Sequence, residues 1–189
     1  QGGASIDERG KATGGQAGNQ KEELRIRPWY KHSKGWVVLR AKNPAVAAKI
    51  AAAMRAACGN KNIGYDQAQR DTLYNAVKGL GFDPAKANKP VETDCSALVR
   101  VCVMFAFKAL GIGYNVPNFT TGNQASVLMA SGEFEKLTAS KYVSQADYLK
   151  EGDILVTKTQ GHTVVVLNDG DKAESNHALG SRELRKGMS

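Results

Sequence analysis

A cysteine that follows two capping residues and opens a long apolar run is the place where chemistry is easiest to read. Thr93-Asp94-Cys95-Ser96 leads into Ala97-Leu98-Val99-Arg100-Val101-Cys102-Val103-Met104-Phe105-Ala106. Thr93 and Asp94 both suit an N-cap. Either choice puts Cys95 in the first helical turn, among backbone N–H groups that have no intrahelical partner. The positive end of the helix dipole favours thiolate over thiol there, which is the state a nucleophile needs. The plain alternative is a small apolar core residue, the usual fate of a free cysteine.

A cysteine nucleophile needs a base within hydrogen-bond reach and a third group to orient that base. The chain has three histidines, His32, His162 and His177. His32 lies in an aromatic and basic loop, Pro28 to Gly35, whose rings either stack on a ligand or pack onto the domain. His162 opens the apolar segment Thr163-Val164-Val165-Val166-Leu167, directly after Gly161, a residue that permits close backbone approach. The third group should come from the neighbouring strand. Asn168-Asp169-Gly170-Asp171 is a hairpin-turn signal, and a strand returning through 172–176 would carry Glu174, Asn176 and His177 back past His162. Glu174 and Asn176 share one face by strand alternation. The third position stays open among these residues.

The elements that must position these groups follow from the pattern. Leu24 to Arg27 and Trp36 to Arg40 read as short strands. Asn43-Pro44 starts a helix, with Asn as cap and Pro at its first position, and Gly59 stops it. Asn62 to Gln67 reads as a turn into a second helix ending at Gly79 and Gly81. Phe82 to Val91 reads as a loop that delivers the chain to the Cys95 helix, which runs to about Leu110. A polar, aromatic loop from Tyr114 to Thr121 suits a cleft wall, and Tyr114, Asn118, Phe119 and Thr121 are its candidate substrate contacts. A helix over 122–130, a strand over 134–137, a helical turn over 144–149 and a strand over 153–158 complete the pattern. Residues 1–22 read as a leader, 23–180 as a single domain and 181–189 as a polar tail.

Composition bounds the rest. Over 189 residues the net charge is +8, with 42% hydrophobic and 23% charged residues. A globular chain of this charge favours a polyanionic partner. No apolar run approaches the ~18 residues of a membrane-spanning helix, so membrane insertion is not expected. Three cysteines cannot all pair internally. Cys95 and Cys102, two turns apart on one helix, cannot form a disulfide, and no metal-ligand spacing is present. Free thiols, no metal and no cofactor are expected.

Three ordered blocks resemble the NlpC-like/CHAP superfamily of papain-like cysteine peptidases and amidases. They are Asp94-Cys95-Ser96, Gly152-Asp153-Ile154-Leu155 and Gly161-His162-Thr163-Val164-Val165-Val166. The resemblance runs from about Ile63 to Asn176. It implies an α+β, papain-like fold in which the nucleophile helix packs on a C-terminal antiparallel sheet, with an N-terminal strand and helix extension. It implies Cys95 as nucleophile, His162 as base and Glu174-Ser175-Asn176 as the Glu-x-Asn of CHAP domains. Tyr65 resembles a tyrosine that NlpC-like members place near the oxyanion site. The leader, through Ala4-Ser5-Ile6-Asp7-Glu8-Arg9-Gly10 and Arg27-Pro28-Trp29-Tyr30, resembles phage endolysins, which would make it part of the domain.

The activity implied is hydrolysis of an amide in bacterial peptidoglycan, either a stem-peptide bond or the muramoyl–alanine bond. The expected partner is the bacterial wall, met by a monomer that is compatible with a separate wall-binding domain, and no nucleic acid is involved. The expected route is synthesis in bacterial cytoplasm, of phage or prophage origin, with export or release by lysis. Two other readings use the same residues differently. One is a non-catalytic wall-binding or nucleic-acid-binding module, for which the aromatic-basic loop and the charge speak. The other is a papain-like toxin or transglutaminase with a protein substrate.

Overall fold

The computed structural model describes residues 1–5, 7, 10–14, 23–159 and 161–171. Its centre is a six-stranded sheet in the order β2-β1-β8-β7-β3-β6. The strands are β1 (Gly2–Ala4), β2 (Leu24–Ile26), β3 (Trp36–Ala41), β6 (Phe134–Leu137), β7 (Ile154–Thr157) and β8 (Thr163–Val165). Every neighbouring pair in this sheet is antiparallel. A separate parallel pair joins β4 (Ile63–Tyr65) to β5 (Val91–Thr93). The helices are α1 (Pro44–Cys58), α2 (Thr72–Val77), α3 (Cys95–Ala109), α4 (Gln124–Ala130) and α5 (Ser140–Val143).

Strand alternation divides the apolar residues between two clusters. Leu39, Ile154 and Val165 join α1 and α3 in the main core. Trp36, Val38, Leu155, Val164 and Val166 point the other way, into a smaller cluster closed by Leu149 and by Tyr142 and Val143 of α5. The buried stripe of α1 is largely Ala47, Ala51, Ala53 and Ala57, so its backbone lies close to its neighbours. The Asn43 side chain caps α1 by accepting from Ala45 N at 2.9 Å.

The Gly152-Asp153 pair has a local physical reason. Gly152 has φ +87°, and a Cβ there would collide with the Ala47 backbone. Asp153, fully buried, takes two hydrogen bonds from Arg40, Nε at 2.9 Å and Nη2 at 2.8 Å. It also accepts from Lys150 N at 2.8 Å. Burial still pushes its carboxyl above the ordinary value, against the pull of Arg40.

Several elements depart from the sequence expectation. The leader contributes β1, seated between β2 and β8. Gly2-Gly3-Ala4 has no strand-forming side chains, but the site requires their absence. A Cβ at Gly2 would lie 2.6 Å from Met54 Cγ, and one at Gly3 would lie 3.0 Å from Val164 Cγ1. Asn62 to Gln67, expected as a turn, contains β4, and the expected loop before Cys95 ends in β5. Three-residue strands carry too little periodicity to show in a sequence. The helical turn expected over 144–149 instead forms earlier, as α5, where Ser144 Oγ donates back to Ser140 O at 2.7 Å. At the position expected for a hairpin turn, Asp169–Asp171 form a short 3-10 segment with Gly170 at φ 72°, tied by Gly170 N to Leu149 O at 2.9 Å. The expected returning strand at 172–176 lies outside the described residues.

Because Gly152 combines positive φ with backbone contact, Gly152→Ala is expected to cost about 2–4 kcal/mol. Thermal unfolding by circular dichroism should show a Tm lowered by several degrees, whereas Gly79→Ala, where a Cβ meets open space, should leave it nearly unchanged.

Candidate active site

The start of α3 is built around Asp94. Its Oδ1 accepts from Ala97 N at 2.8 Å and from Ser96 Oγ at 3.2 Å, so Asp94 is the N-cap and Cys95 the first helical residue. Its Oδ2 receives Arg70 Nε at 2.7 Å. The same guanidinium reaches Ser96 Oγ at 2.9 Å, Phe119 O at 2.7 Å and Asn118 Oδ1 at 2.7 Å. Arg70 therefore fastens the start of the helix to the loop over 114–121.

Cys95 is 7% exposed. The backbone N–H groups of Thr163, Ser96 and Cys95 itself face its sulfur and favour the thiolate, but burial and the Asp94 carboxylate outweigh them and push the thiol up to about 11. The expectation that the helix start yields a resting thiolate is thus corrected: the dipole is present, but desolvation and a neighbouring negative charge win. Cys102, on the same helix, is fully buried and its thiol is pushed up further.

His162 stands at the head of β8. Its backbone is held on both sides by Thr157, with Thr157 N donating to His162 O at 3.0 Å and His162 N to Thr157 Oγ1 at 3.1 Å. The imidazole shares a pocket of rings with Trp36, at 6.3 Å between centroids, and His32, at 6.2 Å. Burial, with His32 and Arg27 nearby, lowers its pKa to about 4. Nε2 lies 3.4 Å from Ser5 Oγ, which leaves Nδ1 as the other nitrogen able to take a proton. Among the described residues no hydrogen bond joins Cys95 Sγ to this ring. What joins the two is the chain itself, since the Thr163 N–H at the sulfur belongs to the residue after His162. At neutral pH the pair is thiol and neutral imidazole.

Tyr65 lies thirty residues before Cys95 in sequence, but the parallel β4–β5 pairing sets it against Thr93. It is 2% exposed. Burial raises its hydroxyl to about 12, and Cys95 and Asp94 are among the charges that act on it. The Tyr65 oxygen accepts from Gln67 Nε2 at 2.9 Å, so its proton is left to donate. Of the loop residues, Thr121 Oγ1 accepts Gly161 N at 3.1 Å, beside His162, and Asn118 binds Arg70. Phe119 is 2% exposed and belongs to the main core, and half-buried Tyr114 packs against that core, edge-on to Phe107. Phe119 also lines a shallow pocket with Arg70, Asn118, Thr120 and Asn123. Apolar side chains in a polar loop are as readily drawn inward as kept for ligands. Glu174, Asn176 and His177 lie outside the described residues.

Four residues at the site had no role in the sequence reading. Arg70 and Ser5 sit in polar stretches with no periodicity to mark them. Tyr30 belongs to the loop whose rings could either stack on a ligand or pack, and it is close enough to Cys95 for the two to interact electrostatically. It also accepts Trp36 Nε1 at its carbonyl at 2.8 Å. His32 was seen but had no geometry until the ring cluster formed. Among the described residues, no group of three or more His, Cys, Asp or Glu side chains converges to hold a metal ion, and no helix is long and apolar enough to cross a membrane.

Comparison with known proteins gives one family. No curated protein and no solved structure matches this chain. The model of the endolysin-like domain (ELLD) matches residues 2–173, a span that takes in β1, Cys95 and His162. The match points to a cell-wall lytic domain of the peptidoglycan-hydrolase type, acting at the cell wall. By the span and position of that match, the chain belongs to the endolysin-like domain family.

Proposed function

We propose that this domain cleaves an amide bond of bacterial peptidoglycan with Cys95 as nucleophile and His162 as base. The observation that carries the reading is the sulfur of a capped helix-start cysteine facing the backbone N–H of Thr163, next to a histidine that heads a buried strand. A cysteine helix packed on an antiparallel sheet that carries the histidine also favours a papain-like arrangement.

The resting groups are neutral, so the reaction begins with proton transfer. As Sγ attacks the amide carbon, its proton passes to His162, and the negative charge moves to the carbonyl oxygen. Backbone N–H groups at the α3 start and the Tyr65 hydroxyl can donate to that oxygen. His162 then protonates the leaving amine, which departs and leaves a thioester on Cys95. Water, deprotonated by His162, attacks the thioester and restores the thiol. Ser5, at Nε2, fills the orienting position among the described residues, and Glu174 or Asn176 remains a proposal for the same duty. Asn118 and Thr121 suit contacts along the substrate. The scissile bond is a stem-peptide amide or the muramoyl–alanine amide. The substrate is the wall of a bacterium, approached by a monomer of net charge +8.

Cys95→Ala and His162→Ala are each expected to lower the lysis of purified cell walls by about a thousandfold or more. Lysis at the unchanged rate in Cys95→Ala would remove the cysteine mechanism. Mass spectrometry of the released fragments distinguishes the two bonds: glycan freed of peptide together with intact stems bearing a new alanine N-terminus mark an amidase, and shortened stems mark an endopeptidase.

The raised thiol pKa gives a second expectation. Below a pKa of about 11 the thiol is protonated, so its alkylation by iodoacetamide should be slow at pH 7 and climb steadily with pH toward that value. Asp94→Asn keeps a capping side chain but removes the negative charge, so the alkylation profile should move to lower pH. A fast, pH-independent reaction from pH 6 upward in the unsubstituted protein would mean a resting thiolate–imidazolium pair instead.

A further inference from the structure

The sheet face that carries His162 also carries a cavity of about 140 Å³ with Gly3, Ser5, Val164 and His162 in its lining. Gln1 and three charged side chains, Glu23, Arg25 and Arg27, complete it. Strand pairing explains the grouping. Gly3 lies opposite Arg25 on β2. The Gly2–Val165 register between β1 and β8, continued along both strands, brings Ser5 opposite His162. Glu23 is turned toward Tyr65, whose backbone N–H it accepts at 2.7 Å.

Arg27 is the unusual member. Among the described residues its guanidinium makes no hydrogen bond and no ion pair, and its Nε is buried without an acceptor. The guanidinium lies over the Tyr30 ring, 5.0 Å from the centroid, a contact that satisfies none of its donors. A buried N–H with no acceptor is costly, and a guanidinium's fork of donors matches a carboxylate in a bidentate pair. The cavity holds the equivalent of about four or five water molecules at ~30 Å³ each, enough for a carboxylate and the carbon that bears it.

We infer that Arg27 and this cavity form a carboxylate-binding subsite, which holds an acidic group of a peptide substrate beside His162. The inference rests on the cysteine-hydrolase reading for what the peptide is, but the binding itself is independent of turnover. Stem peptides of peptidoglycan carry their second-residue carboxyl either free or amidated, so the subsite would select the free acid.

The test uses the Cys95→Ala protein, which binds without cleaving. Acetyl-L-Ala-γ-D-Glu-L-Lys with an amidated C-terminus is titrated by calorimetry, with the α-carboxyl of its γ-linked residue either free or amidated. With Arg27 intact the free acid should bind at least tenfold tighter than the amide. In Arg27→Met the two should bind alike, and Arg27→Lys should keep part of the preference. Equal binding with Arg27 intact, no binding of the free acid, or a preference that survives Arg27→Met overturns the subsite. The first comparison needs no change at Arg27, so it stands even where Arg27→Met fails to fold. Undiminished wall lysis by Cys95→Ala, together with an intact preference for the acid, would sink the cysteine mechanism and leave the subsite in place.

Discussion

The site depends on one ion pair, Arg70 with Asp94. The Asp94 carboxylate caps α3 with one oxygen and binds Arg70 with the other. Arg70 in turn holds Ser96, Asn118 and the Phe119 carbonyl. With the Asp94 side chain 13% exposed and the Arg70 side chain 18% exposed, removing either partner would strand a largely buried charge, the situation in which a lost pair is most damaging. The pair therefore sets where the first turn of α3 begins and where the 114–121 loop lies. Its electrostatic consequence runs against reactivity. The carboxylate that anchors the helix also raises the thiol pKa, so positional accuracy is obtained with a resting thiol.

That neutrality fits the way the two faces of the sheet meet. Thr163 and Val165 look toward the helices, while Val164 and His162 look toward Trp36. Cys95 approaches from the helix side and meets the strand backbone at Thr163, the residue that follows His162. Two desolvated groups in this arrangement gain nothing from charging early, because each ion would lose water with no partner in contact. A bound amide changes the balance, since proton transfer then coincides with attack and the new negative charge is met by backbone N–H groups.

The sequence was informative wherever a residue type carried its own reason. Asn43-Pro44, Gly59 and Asp94 all act through local geometry, and the helices they mark are present. Cys95 and His162 were visible because each sits at the boundary of an apolar segment. Residues whose roles are created by distant neighbours were not visible. Arg70 reads as one more basic residue in a polar turn until Asp94 and Phe119 arrive beside it. Tyr65 looks remote until β4 pairs with β5. Gly2 and Gly3 look like linker until Met54 and Val164 leave no room for a side chain.

The N-terminal strand changes how the histidine's surroundings should be understood. A hairpin reading makes the neighbour of β8 a strand that returns from the turn at 168–171, and looks for the orienting residue there. In the sheet the neighbour of β8 away from β7 is β1, so that edge is already occupied by a segment more than 150 residues distant in sequence. The group opposite Nε2 is accordingly Ser5, and Arg25 on β2, with Arg27 directly after that strand, enters the same surface through β1. A strand of small residues is what permits this, since it brings two further strands' side chains to His162 without placing bulk of its own there. The leader thus lies beside the histidine for a steric reason, and the family match, which begins at residue 2, takes it in.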